Sequence, residues 1–224
     1  MAEKTNKFSD LVRSSSDGNV YDQKIEQSLK WYKQCTEKSK ATKKSKKNTP
    51  KVPKKETKPK DDAAKRKQEE DEMRKNVESP KVPVPGWMMQ FSYDPKWADS
   101  LKYYDIYPLI LVLQAGSTHF MGLNFHYLSP VDRASFFDLL HKYVGFNEEA
   151  NTVTINISTS ILKDTSRLSY YKPCIKKYLY SHVKSPFNAI LPIEWEYALF
   201  LPTEKFVKAT AEQVWAESKI IAGK

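Results

Sequence analysis

The 224-residue chain has few of the residues from which disulfide frameworks and many enzyme sites are built. Its two cysteines, Cys35 and Cys174, indicate free thiols in a reducing compartment. Six glycines leave little material for a phosphate-binding loop, and no nucleotide-binding, zinc-protease, Cys-x-x-Cys or Gly-x-Ser-x-Gly motif occurs. No apolar run approaches the roughly 20 residues of a membrane span, and no signal-peptide core is present. These absences favour a soluble, intracellular, non-enzymatic protein with no cofactor and no membrane partner.

Basic charge is concentrated in one short segment. Eleven lysines lie between Lys38 and Lys60 against one acidic residue, Glu56, and Val52 is the one aliphatic residue there larger than alanine. Such a segment cannot bury enough apolar surface to offset its ordering entropy, so we predict a disordered arm. A solvated cationic arm suits the phosphate backbone of a nucleic acid. The arm residues predicted to bind it are Lys43, Lys44, Lys46, Lys47, Lys51, Lys54, Lys55, Lys58 and Lys60.

Charge and aromatic residues divide the chain near residue 86. Residues 1–85 hold 23 basic and 14 acidic residues, whereas residues 86–224 hold 14 and 13, together with all but four of the aromatic residues. We therefore predict a globular domain over 86–224, which is long enough to bury most of its apolar surface. The N-terminal part is predicted as a disordered stretch (1–18), a short amphipathic helix (19–38), and a lysine-rich arm, charged spacer and proline-rich linker (39–85).

The 19–38 helix is predicted because Tyr21, Ile25, Leu29 and Tyr32 recur at helical spacing, with Asn19 as a candidate N-cap. Its apolar stripe is narrow, and an isolated helix of this length is marginal in water. The helix therefore needs a docking surface on its own domain, on a second copy or on another protein.

The pattern of the 86–224 domain predicts an α+β fold, with a mainly antiparallel sheet of four or five strands and inserted helices. Alternating or apolar runs predict strands at 87–93, 108–113, 121–127, 152–157 and 193–201, the second and third forming a hairpin. Capping signals predict helices at 129–145 and 173–184, and a terminal helix that begins at Thr210 with Gln213. A further helix is predicted at 158–169.

Two clusters in this domain are predicted to contact nucleic acid. On the helix predicted after Pro173, cations lie opposite the apolar face without an acid, although a plain solvated face is the alternative. This lysine ridge is Lys172, Lys176, Lys177 and Lys184. In the loop that follows the first strand, aromatic residues interleaved with lysines can stack on exposed bases, or else cover the sheet. The stacking candidates are Trp97, Tyr103 and Tyr104.

Acidic residues offer a weaker, catalytic interpretation. Glu194 and Glu196 lie two apart on the predicted final strand and would share one face. With Asp94 or Asp105 they could hold a divalent metal for phosphodiester cleavage. Nucleases of this kind usually carry a lysine two positions after the second acid, where this chain has Ala198. The polar face of a half-buried strand is favoured, the four histidines are predicted as edge or half-buried residues, and no metal site is predicted.

Six short motifs lie between residues 90 and 220. They are Tyr93-Asp94-Pro95-Lys96, Tyr103-Tyr104-Asp105 with Pro108-Leu109, Gly122-Leu123-Asn124 with His126-Tyr127-Leu128, Lys172-Pro173-Cys174-Ile175-Lys176, Phe200-Leu201-Pro202 and Val214-Trp215-Ala216. This part of the chain resembles a family of T4-type tailed bacteriophages, the DNA end protectors, and the basic arm lies outside the resemblance. The resemblance implies a protein packaged with the genome that shields its termini from host exonuclease. No catalytic residue carries over.

We therefore predict a non-enzymatic, double-stranded-DNA-binding phage protein that protects the genome ends, found in the host cytoplasm during assembly and then in the virion. Virion head or neck proteins are further candidate partners. The alternatives are a structural or assembly protein of the neck, tail or baseplate and, less favoured, a metal-dependent nuclease.

Overall fold

The computed structural model describes residues 7–15, 18–41, 80–141, 144–147, 152–155 and 171–223. Within these ranges the helices are α1 (Lys7–Ser14), α2 (Gly18–Ala41), α3 (Pro130–His141), α4 (Trp195–Phe200) and α5 (Ala211–Ile221). The strands are β1 (Met88–Gln90), β2 (Tyr104–Asp105), β3 (Leu109–Ala115), β4 (His119–Asn124), β5 (Val144–Asn147), β6 (Thr152–Ile155), β7 (Ile175–Leu179), β8 (Asn188–Ile190) and β9 (Phe206–Val207). Short 3-10 helices cover Phe125–Tyr127, Lys172–Cys174, Tyr180–His182 and Pro192–Glu194. The predicted α+β class is confirmed.

The centre of the fold is a five-stranded antiparallel sheet with the order β7-β4-β3-β1-β8. The predicted hairpin is present as β3 and β4, which pair Leu111 with Leu123. Its turn closes with the Gly116 N–H donating to the His119 carbonyl over 2.9 Å. Strand β1 lies inside the sheet, and all of Met88–Gln90 is buried. Two further pairs of short strands, β2 with β9 and β5 with β6, lie outside this sheet.

Apolar side chains pack on both faces of the sheet because successive strand residues point to opposite sides. Leu109 and Leu111 belong to a large cluster that contains the buried side chains of α3 and α4. Ile110 and Val112 belong to a second, smaller cluster rich in aromatic rings, in which Phe91 packs edge-on at 5.2 Å from Tyr178. One face of the sheet is therefore covered by helices, and the other face carries the aromatic cluster.

Two predicted helix starts are confirmed by their capping bonds. At α3 the Asp132 N–H donates to Ser129 Oγ over 3.3 Å, and at α5 the Gln213 N–H donates to Thr210 Oγ1 over 3.3 Å. These bonds satisfy N–H groups that have no partner inside the helix. Helix α3 ends at His141, earlier than predicted.

The prediction that residues 1–18 are disordered is wrong for residues 7–14, which form α1. Asp138 of α3 accepts hydrogen bonds from the Phe8 N–H at 2.7 Å and the Ser9 N–H at 3.0 Å, and so caps the first turn of α1. A carboxylate at this position also interacts favourably with the helix dipole. Phe8 is 1% exposed and packs edge-on against Phe137 at 5.6 Å. The polar composition of α1 gave no sign in the sequence that Phe8 would be buried and would hold the helix on the fold.

Helix α2 packs along α4, so it docks on its own fold, one of the three surfaces predicted for it. Trp31 is 8% exposed, stacks on Tyr197 at 5.6 Å, and donates its indole N–H to Glu194 Oε1 over 3.1 Å. The Lys24 ammonium lies 2.7 Å from Glu196 Oε1. The helix begins at Gly18, so the predicted cap, Asn19, lies inside it.

Two predicted elements have a different structure. The helix predicted at 173–184 is a 3-10 turn, strand β7 and a second 3-10 turn, because the segment pairs with β4 along the sheet edge. The strand predicted at 193–201 is a 3-10 turn followed by α4. Helix α4 is buried between other helices and therefore shows no polar face from which a helical period could be read.

Other predictions fall outside the described residues. They concern the arm lysines from Lys43 to Lys60, the charged spacer and the helix at 158–169. The division at residue 86 stays a prediction, although side chains of α1 and α2 contribute to the large apolar cluster.

Candidate nucleic-acid interface

A cleft of about 480 Å³ opens along the free edge of β7. One wall is β7 itself, and the other is the segment from Tyr93 to Asp105, which carries the Trp97 turn and ends in β2. Asn124, Tyr127 and Tyr178 lie between the two walls. The volume is within the range of roughly 300–1,000 Å³ that is usual for ligand sites.

The cleft brings together five of the seven predicted binding residues that lie in the described domain. Lys176 and Lys177 of the lysine ridge line it with Trp97, Tyr103 and Tyr104. The ridge is not a helix face, since its central residues lie on a strand. Lys172 and Lys184 do not line the cleft, and Lys184 lies 3.5 Å from the Asp94 carboxylate.

Lys176 has an unusual environment for a lysine. Its ammonium lies 4.0 Å from the centre of the Tyr127 ring and makes no hydrogen bond or ion pair with any residue in the described part of the chain. Burial lowers the pKa of Lys176, because the charged form loses hydration, and Glu217 opposes this effect only in part. A cation–π contact compensates part of that loss, but an anion would compensate more.

The aromatic residues of the cleft differ in exposure. Trp97 is 64% exposed, and Lys96 places its ammonium 5.0 Å from the centre of the indole ring. Tyr103 and Tyr104 are half-buried, and burial is the main cause of a raised pKa at Tyr103. Tyr103 packs on Tyr127 and Phe206, whereas the indole of Trp97 is exposed, and base stacking by these rings stays a prediction.

A lysine that the sequence did not single out fixes the Trp97 turn. Lys208 Nζ donates to three carbonyl oxygens, those of Ala98 and Asp99 at 2.9 Å and that of Leu101 at 3.2 Å. Lys208 has a positive φ of 69°, a backbone conformation that few residues other than glycine adopt. The ammonium uses all three of its protons on this turn. No motif in the sequence marks it, because its partners are main-chain atoms about a hundred residues away.

Three residues of a buried polar network, Asp105, Asn124 and Tyr178, line the cleft, and no sequence pattern predicted this network. His126 Nδ1 lies 2.7 Å from Asp105 Oδ2, and that oxygen also accepts from the Asn124 amide at 3.0 Å. The same Asn124 amide lies 3.2 Å from the Tyr178 hydroxyl oxygen. Burial raises the pKa of Tyr178 well above its usual value, so this hydroxyl keeps its proton. The prediction of a half-buried His126 is wrong, because its side chain is fully buried.

The acidic residues considered for metal binding are engaged elsewhere. Glu194 accepts from the Trp31 indole and from the Leu191 N–H at 2.9 Å, and Glu196 pairs with Lys24. They belong to a 3-10 turn and a helix, so they do not share the strand face predicted for them. No cluster of three potential metal ligands occurs among the residues that the structure describes.

The family model of the phage T4 terminal DNA protecting protein matches residues 3–221, nearly the whole chain. The chain belongs to this family. The family match extends beyond the predicted resemblance, which covered residues 90–220, so the lysine-rich segment and the N-terminal helices are inside it. No curated protein and no solved structure matches significantly. None of the described helices has the length and apolar composition that crossing a bilayer requires. A terminal DNA protecting protein of phage type agrees with the predicted role in protecting DNA ends.

Proposed function

We propose that this protein binds the ends of double-stranded phage DNA and shields them from host exonuclease by occupancy, without catalysis. The observation that supports this most is the β7 cleft, where Lys176, Lys177 and the rings of Trp97 and Tyr104 face one space. Membership of the terminal DNA protecting family supports DNA as the ligand that we propose for that space. Lysines supply phosphate contacts, and aromatic rings stack on bases whatever their sequence.

The lysine-rich segment supplies the sequence-independent part of the affinity in this proposal. Each phosphate neutralised contributes about −0.9 to the slope of log affinity against log salt. Six contacts would lower the affinity by at least ~10³ between 50 and 200 mM salt. The cleft supplies the preference for an end, since its ligands are reachable only where a strand terminates. The protein acts in the host cytoplasm during assembly and remains with the genome in the virion.

The test compares binding to blunt linear duplex with binding to nicked circular duplex of the same sequence across a salt titration. We expect tighter binding to the linear form and protection of its ends from an added exonuclease. Replacing the nine arm lysines by glutamine should weaken binding to both forms alike and flatten the salt slope. Equal affinity for linear and circular DNA by the intact protein would refute end recognition.

The alternative of a structural or assembly protein of the neck, tail or baseplate was favoured by the need of α2 for a docking surface. In the structure α2 buries Trp31 against α4 of its own chain, so that support is removed. The stoichiometry in purified particles separates the two proposals, because a structural ring requires many copies and an end protector few.

A further inference from the structure

The size of the β7 cleft limits what part of a DNA terminus can enter it. Its volume of about 480 Å³ is that of a small-molecule site. A sphere of that volume is about 10 Å across, which is less than the width of the DNA major groove alone, about 12 Å. An intact terminal base pair therefore cannot enter. A space of this size suits a single nucleotide that is separated from its partner strand.

The polar groups of the cleft fit the two chemically different parts of a nucleotide. Lys176 offers a poorly hydrated cation with no anionic partner among the described residues, and the exposed Lys177 follows it at the rim. A phosphate group would supply the missing anion. Tyr178, which also lines the cleft, accepts a hydrogen bond at its hydroxyl oxygen from the Asn124 amide. Its own hydroxyl proton has no acceptor among the described residues. That proton can be donated to a base edge.

The wall opposite β7 is already in place for stacking. Trp97 exposes its indole on a turn that Lys208 ties down through three carbonyls, and Tyr104 is fixed in β2 by pairing with Val207. Preorganised rings lose little conformational freedom when a base stacks on them, which favours binding. The cleft therefore offers both a cation and a fixed aromatic wall to one nucleotide.

We propose that the β7 cleft takes up one unpaired nucleotide from the DNA terminus, with its phosphate on Lys176 and its base against Trp97 and Tyr104. This inference rests on the proposed function and adds how an end is distinguished from a continuous duplex. Ends with a short single-stranded overhang, or ends that fray easily, bind better than stable blunt ends. The ligand class is a nucleoside monophosphate, whatever the base.

The test is a titration of the full-length protein with deoxyadenosine monophosphate, with deoxyadenosine and inorganic phosphate as separate probes. We expect saturable binding of the nucleotide, and affinities at least about tenfold lower for each fragment, since each fragment lacks either the charge-assisted contact or the stacked base. Lys176→Met and Trp97→Ala should each weaken nucleotide binding at least tenfold. Lys81→Met removes an exposed lysine outside the cleft and should leave it unchanged.

Lys177→Met provides a second variant in case Lys176→Met fails to fold, because Lys177 is exposed. No saturable nucleotide binding, or equal binding by both cleft variants and Lys81→Met, would overturn the inference. Phosphate binding as tightly as the nucleotide would contradict the role of the aromatic wall. The same protein preparation is also assayed for its ability to protect blunt DNA from exonuclease, and the two results are compared. Protection without nucleotide binding rejects the cleft inference and leaves the proposed function standing, whereas loss of all protection rejects the function itself.

Discussion

Two tryptophans of this protein allow its stability and its ligand binding to be separated. Trp31 is 8% exposed between α2 and α4, whereas Trp97 is 64% exposed at the cleft. We expect Trp31→Ala to destabilise the protein without affecting the cleft, and Trp97→Ala to weaken DNA-end binding without affecting stability. The same chemical change is thereby made at two sites with opposite predicted effects.

The expected magnitude for Trp31 follows from its contacts. Replacing a buried tryptophan by alanine costs about 3–5 kcal/mol, a loss that here includes the stack on Tyr197 and the indole bond to Glu194. Because an isolated helix such as α2 is marginal in water, this loss undocks it. The equilibrium constant for opening α2 should then rise by a factor between about 10² and 10⁴. Trp97→Ala, as a surface change, should remain within about 0.5 kcal/mol.

Native-state hydrogen exchange measures this opening, and urea denaturation measures global stability. We expect amide protection to fall most over residues 20–34 in Trp31→Ala, and the amides of β3 and β4 to change less. Trp97→Ala should retain the wild-type exchange pattern and urea midpoint. If Trp31→Ala left protection of α2 unchanged, the docking of α2 on α4 would be refuted.

Three further predictions concern the core. Gly122→Ala would place a Cβ 2.5 Å from Ile110 Cδ1, so we expect a loss of about 1–3 kcal/mol in urea denaturation, and a wild-type midpoint would contradict the packing. Burial raises the pKa of the Cys174 thiol to about 12. In a Cys35→Ser background we therefore expect Cys174 to be alkylated at pH 8 at least about a hundredfold more slowly in the folded than in the unfolded protein. Equal alkylation rates would show that the core is open to the reagent. Buried tyrosines have raised pKa values in the folded state, so their protonated forms stabilise the fold below pH 10, and this contribution is lost as the pH rises further. We expect cooperative alkaline unfolding with simultaneous tyrosinate absorbance. Gradual ionisation of a folded protein would contradict the burial of Tyr93, Tyr127 and Tyr178 and the partial burial of Tyr21 and Tyr103.

The sequence predicted correctly those elements that carry a local signal, either an apolar run or a capping residue. The hairpin of β3 and β4 has clear apolar runs, and the starts of α3 and α5 carry their own capping residues, Ser129 and Thr210. The segment after Pro173 was predicted as a helix because its lysines and apolar residues fit a helical wheel. The segment forms strand β7 instead, because it pairs with β4. Such long-range pairing gives only a weak signal in the sequence of a single edge strand.

The sequence allowed some residues of the candidate site to be predicted, but it did not predict how the fold positions them. Trp97, Tyr104 and Lys176 were singled out because their chemistry suits nucleic acid, and they line one cleft although the element predicted to carry Lys176 was wrong. The supporting residues could not be found in the same way. Lys208 acts on main-chain carbonyls about a hundred positions away, and Asn124 joins Asp105 to Tyr178 only after three strands have assembled.

The lysine-rich segment connects α2 to Pro83 and Gly86, where Pro83 is buried and the Gly86 N–H donates to the Val112 carbonyl over 2.9 Å. Chain attached at both ends can extend only half its contour before turning back. For residues 42–79 that distance is about 65 Å, at roughly 3.4 Å per residue. Whatever conformation the segment adopts, none of its lysines can lie farther than about 65 Å from an attachment point, and a single proteolytic cut within it would remove that limit.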